Sequence, residues 1–149
     1  MTPFNQNKMI LVMGLPGSGK THTAQRLVRE FKDNGFFCNW FNADDIRRKE
    51  NDWDFSPSGR RRAAARMRTL VNNSIHICNI VDMVSPTPET RDIVKPDYII
   101  WMDTIKEGRF DDTNQMFVPP ENANYIMKEW YTQDDIKNIM TELYKLTEK

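Results

Sequence analysis

The sequence predicts an α/β fold, a parallel five-stranded sheet with helices on both faces. Apolar runs of strand length fall near residues 9–13, 36–41, 77–84, 98–102 and 125–127, and they alternate with stretches whose apolar residues recur at helical spacing. That alternation marks a sheet assembled from strand–helix–strand units, whose strands are covered on both sides and so read as continuous apolar runs. The chain has 149 residues, the size of one ordinary domain, and no repeat, linker or low-complexity tract divides it. A single domain over 1–149 is expected.

Met9, Ile10, Leu11, Val12 and Met13 make the first strand, apolar at every position as a central strand should be. The helix expected from 20 to about 34 carries Ala24, Leu27, Val28 and Phe31 on one face, and Gly35 ends it. The run at 36–41 is read as the second strand. Ser56 and Pro57 then open a helix whose buried face is expected to hold Ala63, Met67, Leu70, Val71 and Ile75. The third strand, 77–84, is closed by Ser85-Pro86-Thr87-Pro88, and a short helical turn near 89–94 leads to the fourth strand at 98–102. Tyr125, Ile126 and Met127 form the fifth. Thr132 and Asp135 fit a capping box for a last helix that buries Ile136, Ile139, Met140 and Leu143.

Between the first strand and the first helix lies Gly14-Leu15-Pro16-Gly17-Ser18-Gly19-Lys20-Thr21, a complete G-x-x-x-x-G-K-[ST] phosphate loop in the structural context that the motif requires. Glycines let the backbone turn its N–H groups toward phosphate oxygens, and the following helix adds the positive end of its dipole. Gly14, Pro16, Gly17, Ser18, Gly19, Lys20, Thr21 and His22 are therefore candidate nucleotide-binding residues. Lys20 would reach the β- and γ-phosphates, and the Thr21 hydroxyl would ligate Mg²⁺. ATP and Mg²⁺ are the expected cofactors, and the fold becomes a P-loop kinase fold.

Composition narrows the setting. With 21 basic and 21 acidic residues the formal charge is zero, which gives no general sign of a nucleic-acid or membrane partner. Arginines nevertheless gather at Arg47-Arg48 and from Arg60 to Arg68, either as a local anion site or as a solvated helix face. Cys38 and Cys78 lie in apolar stretches without metal-ligand spacing and are expected to be reduced core residues of a cytoplasmic protein. No targeting segment or transmembrane window is read from the sequence.

Phe41-Asn42-Ala43-Asp44-Asp45-Ile46-Arg47, Phe55-Ser56-Pro57 and Val84-Ser85-Pro86, together with the phosphate loop, make the chain resemble adenylylsulfate kinase (APS kinase). The stretch from Arg109-Phe110 to Phe117-Val118-Pro119-Pro120-Glu121 runs against that family's last motif with few matches. The resemblance implies an enzyme that phosphorylates the 3′-hydroxyl of adenosine 5′-phosphosulfate from ATP, commonly as a homodimer. It also implies that Lys20 and Asp44 are catalytic, Asp44 serving the attacking hydroxyl, and that Arg47 and Arg60 grip the phosphosulfate. Phe55 and Phe110 would sandwich the acceptor adenine, with Val84 and Ser85 lining the site. Plainer roles exist for the same residues: Asp44 or Asp45 could cap the helix that follows, and Phe55 and Phe110 could be ordinary core.

Departures from the family pattern are as informative. Its paired-acid turn has Asn42 at the first acid and Ala43 at the glycine, and Ala63 stands where the family has asparagine. The arginine-bearing lid that the family fits between the fourth and fifth strands is mostly missing, leaving Lys106 and Arg109. Asp82, near the end of the third strand, is a gained acid and a candidate Mg²⁺ ligand in place of Asn42. Two further readings stay open: a polynucleotide 5′-hydroxyl kinase, suggested by the N-x-D-D-x-R element at 42–47, and a nucleotide-binding module without catalysis.

Overall fold

The computed structural model describes residues 7–147. The sheet is five-stranded and wholly parallel, in the order β2-β3-β1-β4-β5, where β1 is Lys8–Met13, β2 Asn39–Asn42, β3 Cys78–Asp82, β4 Tyr98–Met102 and β5 Tyr125–Met127. The helices are α1 (Lys20–Asp33), α2 (Ala43–Glu50), α3 (Pro57–Asn72), α4 (Pro88–Val94), α5 (Asp111–Met116) and α6 (Gln133–Thr147). The α/β fold expected from the sequence is the one observed.

Strand alternation divides the core into two layers. Ile10 and Val12 of β1 face a cluster formed with Ala24, Leu27 and Phe31 of α1 and with Ile136, Ile139, Met140 and Leu143 of α6. Met9, Leu11 and Met13 face the opposite cluster, which α3 supplies with Ala64, Met67 and Val71 and α4 with Val94. Both faces of β1 are thus dry, which is why its sequence is apolar throughout. Thr132 and Asp135 close the expected capping box at the start of α6, the Thr132 hydroxyl accepting from the Asp135 N–H and the Asp135 carboxylate accepting from the Thr132 N–H.

The differences from expectation lie at element ends. β2 begins at Asn39 rather than at 36. Gly35 (φ 80°) reverses the chain after α1, so Phe36 packs on Phe31 and Tyr144 while Phe37 stacks on His76, both before the sheet is reached. α3 stops at Asn72, after which the Asn73 N–H donates to the Thr69 carbonyl and the Ser74 N–H to the Val71 carbonyl. Ile75 therefore lies beyond the helix and is 92% exposed instead of buried. β3 is trimmed to Cys78–Asp82. α5 has no apolar periodicity to announce it and was not expected.

Cys38 and Cys78 are buried free thiols, with Sγ atoms 2.6 Å apart across the start of β2 and β3. Burial, then the contact with Cys78, pushes the Cys38 thiol well above its ordinary range, so the Cys38 sulfur is not set up as a nucleophile.

Candidate active site

The end of β1 runs into the phosphate loop, whose shape only glycine permits. Gly14 (φ 152°) would place a Cβ 2.7 Å from Ser18 Oγ and 2.8 Å from the Met102 carbonyl, while Gly17 and Gly19 sit at φ 88° and 98°. Ser18 Oγ is buried without a hydrogen-bond partner, and α1 starts without a side-chain cap. Its first N–H groups are left for whatever occupies the loop. These features fit a phosphate chain. The Lys20 ammonium donates to the Leu15 carbonyl at 3.1 Å. Burial holds its pKa below the ordinary lysine range, an effect opposed by the carboxylates of Asp82 and Asp44. Those acids thus lie close enough to act on the same charge.

Register brings the next residues together. Asp82, the last residue of β3, lies opposite Val12 of β1 and Asn42 of β2. It is 2% exposed, and its Oδ2 accepts from the Thr21 hydroxyl at 3.0 Å and from Asn42 Nδ2 at 2.8 Å. Burial raises the Asp82 pKa, while Asn42, Lys20 and Thr21 partly restore the anion. A hydroxyl and a carboxylate are hard oxygen donors that suit Mg²⁺, which usually takes only one or two protein ligands beside phosphates and water. Among the described residues no group of three or more His, Cys, Asp or Glu is arranged to hold a metal, so a heavily protein-ligated site is not what this edge offers.

Asn42 has a second task. Its Oδ1 accepts from the Asp45 N–H at 3.0 Å and caps α2, so neither Asp44 nor Asp45 is the cap. Asp44 is consequently left at the edge of a cavity lined also by Ile46, Arg47, Phe55, Arg60, Ala63, Val84 and Ser85. Six of the seven acceptor-site residues expected from sequence share this one cavity. Arg47 and Arg60 are 6% and 8% exposed, and their guanidinium carbons lie 4.3 and 5.3 Å from the centre of the Phe55 ring. Arg47 donates to the carbonyls of Asp52 and Asp54; Arg60 donates to the Phe55 carbonyl and, at 2.9 Å, to the Thr113 hydroxyl. All four acceptors are neutral. Desolvation lowers the pKa of both arginines, and in Arg60 the charge of Arg47 adds to it. The backbone at Ser85, in the left-handed region at φ 46°, is held by its hydroxyl contact with Thr90.

Phe110, the seventh residue, is not part of the cavity. It is half-exposed and lies 5.5 Å from the Arg109 guanidinium, apart from the cavity that Phe55 lines. Arg61, Arg62, Arg66 and Arg68 are also accounted for: the first three pair with Glu89, with Asp52 and Asp54, and with Asp52 and Glu50, and Arg68 donates to the carbonyls of Val94 and Lys95.

Two contributors escaped the sequence reading. Gly59 lies in the first turn of α3, where a Cβ would come 2.2 Å from the Asp54 carbonyl oxygen; a glycine inside a helix start was the available signal. Trp130, after β5, borders a second cavity of ≈ 440 Å³ with Gly17, Thr104, Ile105, Lys128 and Glu129. Its ring meets His22 edge-on at 5.7 Å, and a Cβ at Gly19 would lie 3.1 Å from it. No sequence pattern connects Trp130 to the phosphate loop.

Among solved structures, the chain is similar to the Mycobacterium tuberculosis APS kinase CysC in complex with AMPPNP and APS, at 19% identity and TM-score 0.72, with 96% of this chain and 98% of that chain covered. A shikimate kinase from Acinetobacter baumannii in complex with shikimate follows the same fold at 16% identity and TM-score 0.61, over 95% and 96% of the two chains. A Sinorhizobium meliloti 1021 gluconokinase does so at 13% identity and TM-score 0.63, over 97% and 96%. No curated protein matches the chain in sequence. A family description, 6-phosphofructo-2-kinase, matches residues 1–83, a span that holds the phosphate loop, the acidic turn at Asp44, the buried arginines and Asp82. The chain belongs to this 6-phosphofructo-2-kinase family of P-loop kinases.

Proposed function

We propose that this protein transfers the γ-phosphoryl group of ATP to a hydroxyl of a small anionic acceptor, with the 3′-hydroxyl of adenosine 5′-phosphosulfate as the first candidate. The observation that carries the reading is the pair Arg47 and Arg60. Two buried guanidiniums lie against one aromatic ring, and neither has a carboxylate within ion-pair distance among the described residues. Buried charge is costly unless it is paired, and a phosphate or sulfate presented to two planar forks supplies that pairing. Asp44, at the rim of the same cavity and near Lys20, is suited to take or orient the proton of the acceptor hydroxyl. Lys20 would stabilise charge on the β,γ-bridge, and Thr21 with Asp82 would hold Mg²⁺, which offsets the negative charge of the phosphates.

The cavity encloses only ≈ 50 Å³ as it stands, room for a few waters. Admission of an acceptor therefore requires Phe55, which is half-exposed, to lift from the arginines. Its apolar neighbours Ile46, Ala63, Met67 and Met83 favour a flat base over a bare sugar, which supports the nucleotide acceptor. The family description supports a second candidate, fructose 6-phosphate, whose phosphate would meet the same two arginines. A polynucleotide acceptor draws less support, because the exposed arginines Arg61 and Arg62 are already paired with carboxylates.

The test is a coupled ADP-release assay with adenosine 5′-phosphosulfate, fructose 6-phosphate, 5′-hydroxyl oligonucleotides and no acceptor. Release that depends on adenosine 5′-phosphosulfate and disappears in Lys20→Ala is expected. Nucleotide affinity without release from any acceptor would leave only a nucleotide-binding module.

A further inference from the structure

The span between β4 and β5 holds only one short helix, yet it touches both halves of the site. Gly108 lies on the phosphate loop: a Cβ there would be 3.1 Å from the Pro16 carbonyl oxygen. The Asn114 side chain grips that glycine at both ends of its backbone, Oδ1 accepting from the Gly108 N–H at 2.8 Å and Nδ2 donating to the Gly108 carbonyl at 2.9 Å. The neighbouring residue of α5, Thr113, is the buried hydroxyl bonded to Arg60. Arg109 follows Gly108 directly, and its charge is felt at Lys20. With Arg109 exposed and no carboxylate paired with it among the described residues, its position is set by its backbone and by the Phe110 ring 5.5 Å from its guanidinium.

We propose that Asn114 is a positioning residue that clamps Gly108 against the phosphate loop and so holds the Arg109 guanidinium where the γ-phosphate of a bound nucleotide arrives. Only an amide can make this clamp, since one end must accept and the other donate. Glycine suits position 108 because a Cβ there would press on the Pro16 carbonyl oxygen at 3.1 Å, and α5 is anchored from its other side by Arg60. The clamp thereby does with one side chain what a longer lid does by closing. This inference rests on the kinase reading, but its test reads binding instead of turnover.

ADP and AMPPNP affinities should be measured by calorimetry in the presence of Mg²⁺ for the full chain, Arg109→Ala, Asn114→Ala and the double variant. The expected result is that the preference for AMPPNP over ADP falls about tenfold in each single variant, the size of one charged hydrogen bond, and falls no further in the double variant. Affinity for ADP should change by less than about threefold, which separates lost positioning from general damage. Asn114→Asp, able to accept but not to donate, should fall between the parent and Asn114→Ala. An unchanged preference in Asn114→Ala, or a further loss added to Arg109→Ala, overturns the positioning role while leaving the kinase reading intact. Absence of Lys20-dependent nucleotide binding in the parent chain sinks both.

Discussion

The Thr21 hydroxyl donates to the Asp82 carboxylate at 3.0 Å, joining the start of α1 to the end of β3 at the sheet edge where the phosphate loop ends. A carboxylate has two oxygens and a hydroxyl keeps lone pairs while it donates, so this edge retains acceptor capacity for a metal beside the Asn42 amide that reaches both groups. Asp82→Asn should therefore weaken Mg²⁺ dependence specifically: the Mg²⁺ concentration for half-maximal nucleotide binding should rise at least about tenfold, while metal-free nucleotide affinity changes little. A Mg²⁺ titration followed by calorimetry decides it. An unchanged midpoint would remove Asp82 from the metal site.

The same carboxyl predicts a pH effect. Burial raises its folded pKa above the ordinary 3.8, so the folded protein holds the proton more tightly than the unfolded chain does. Its contribution to stability is then fully present below 3.8 and is lost as pH rises through the raised folded value. In metal-free buffer, Asp82→Asn should flatten the dependence of Tm on pH across that window. Mg²⁺ affinity should move the opposite way in the parent, weakening as pH falls, since metal and proton compete for one oxygen pair. Parallel pH profiles for parent and variant would contradict the assignment.

The buried arginines predict stabilisation by simple anions. Sulfate or phosphate that binds between Arg47 and Arg60 should raise Tm, and at a concentration 100 times its dissociation constant the gain is about 2.7 kcal/mol. Arg60→Met should abolish the effect, and should also raise the KM for the anionic acceptor far more than it lowers kcat, since it removes acceptor binding rather than chemistry. Thermal melts at rising sulfate, with chloride as the ionic-strength control, test it. Equal shifts in parent and variant would mean that the anion binds elsewhere, for instance in the phosphate loop.

Gly59 predicts a coupled loss of stability and acceptor binding. An alanine Cβ would strike the Asp54 carbonyl oxygen and Cγ, at 2.2 and 2.5 Å, so the loop before α3 has to move. Overpacking of this kind costs about 1–3 kcal/mol. The Asp54 carbonyl is also a partner of Arg47, and Phe55 is its neighbour in the chain. Gly59→Ala should thus lower Tm and raise the acceptor KM together, with nucleotide affinity retained; denaturation and steady-state kinetics measure the two effects on one preparation.

Which parts of this site were legible in the sequence follows from how locally each is encoded. The phosphate loop is local, because a few consecutive residues specify turn, charge and helix start together. The acidic turn is legible for the same reason, although the helix cap, for which Asp44 and Asp45 are the alternatives the sequence offers, is supplied by Asn42. Phe36 and Phe37 look like strand residues by hydrophobicity alone; the left-handed turn at Gly35 sends them past the sheet edge. Ile75 continues an apolar spacing that the chain stops using three residues earlier, at the Asn72–Asn73 end of α3. Phe110 lies outside the cavity that Phe55 lines because the span after β4 folds onto Pro16 and Arg60, through contacts that join residues distant in the chain. Asn114 and Trp130 were invisible for that reason: their importance lies in what they touch, not in any spacing.

Trp130 supplies the last prediction. It is 58% exposed, it lines the cavity of ≈ 440 Å³ beside Gly17, and its ring edge lies against Gly19 and His22. The cavity adjoins the phosphate loop through Gly17, and for the base of a nucleotide held there Trp130 and Ile105 would supply apolar surface, with Lys128, tied to Asp103 at 3.0 Å, on the polar side. Stacking of a base on an aromatic ring is worth about 1–3 kcal/mol, so Trp130→Ala should weaken ATP binding roughly 5- to 150-fold. It should weaken binding of inorganic tripolyphosphate, which has no base, hardly at all. In the parent chain ATP should change the tryptophan fluorescence, and that change should vanish in the variant although Trp40, Trp53 and Trp101 remain. Equal losses for ATP and tripolyphosphate would mean that Trp130 merely supports the phosphate loop through Gly19.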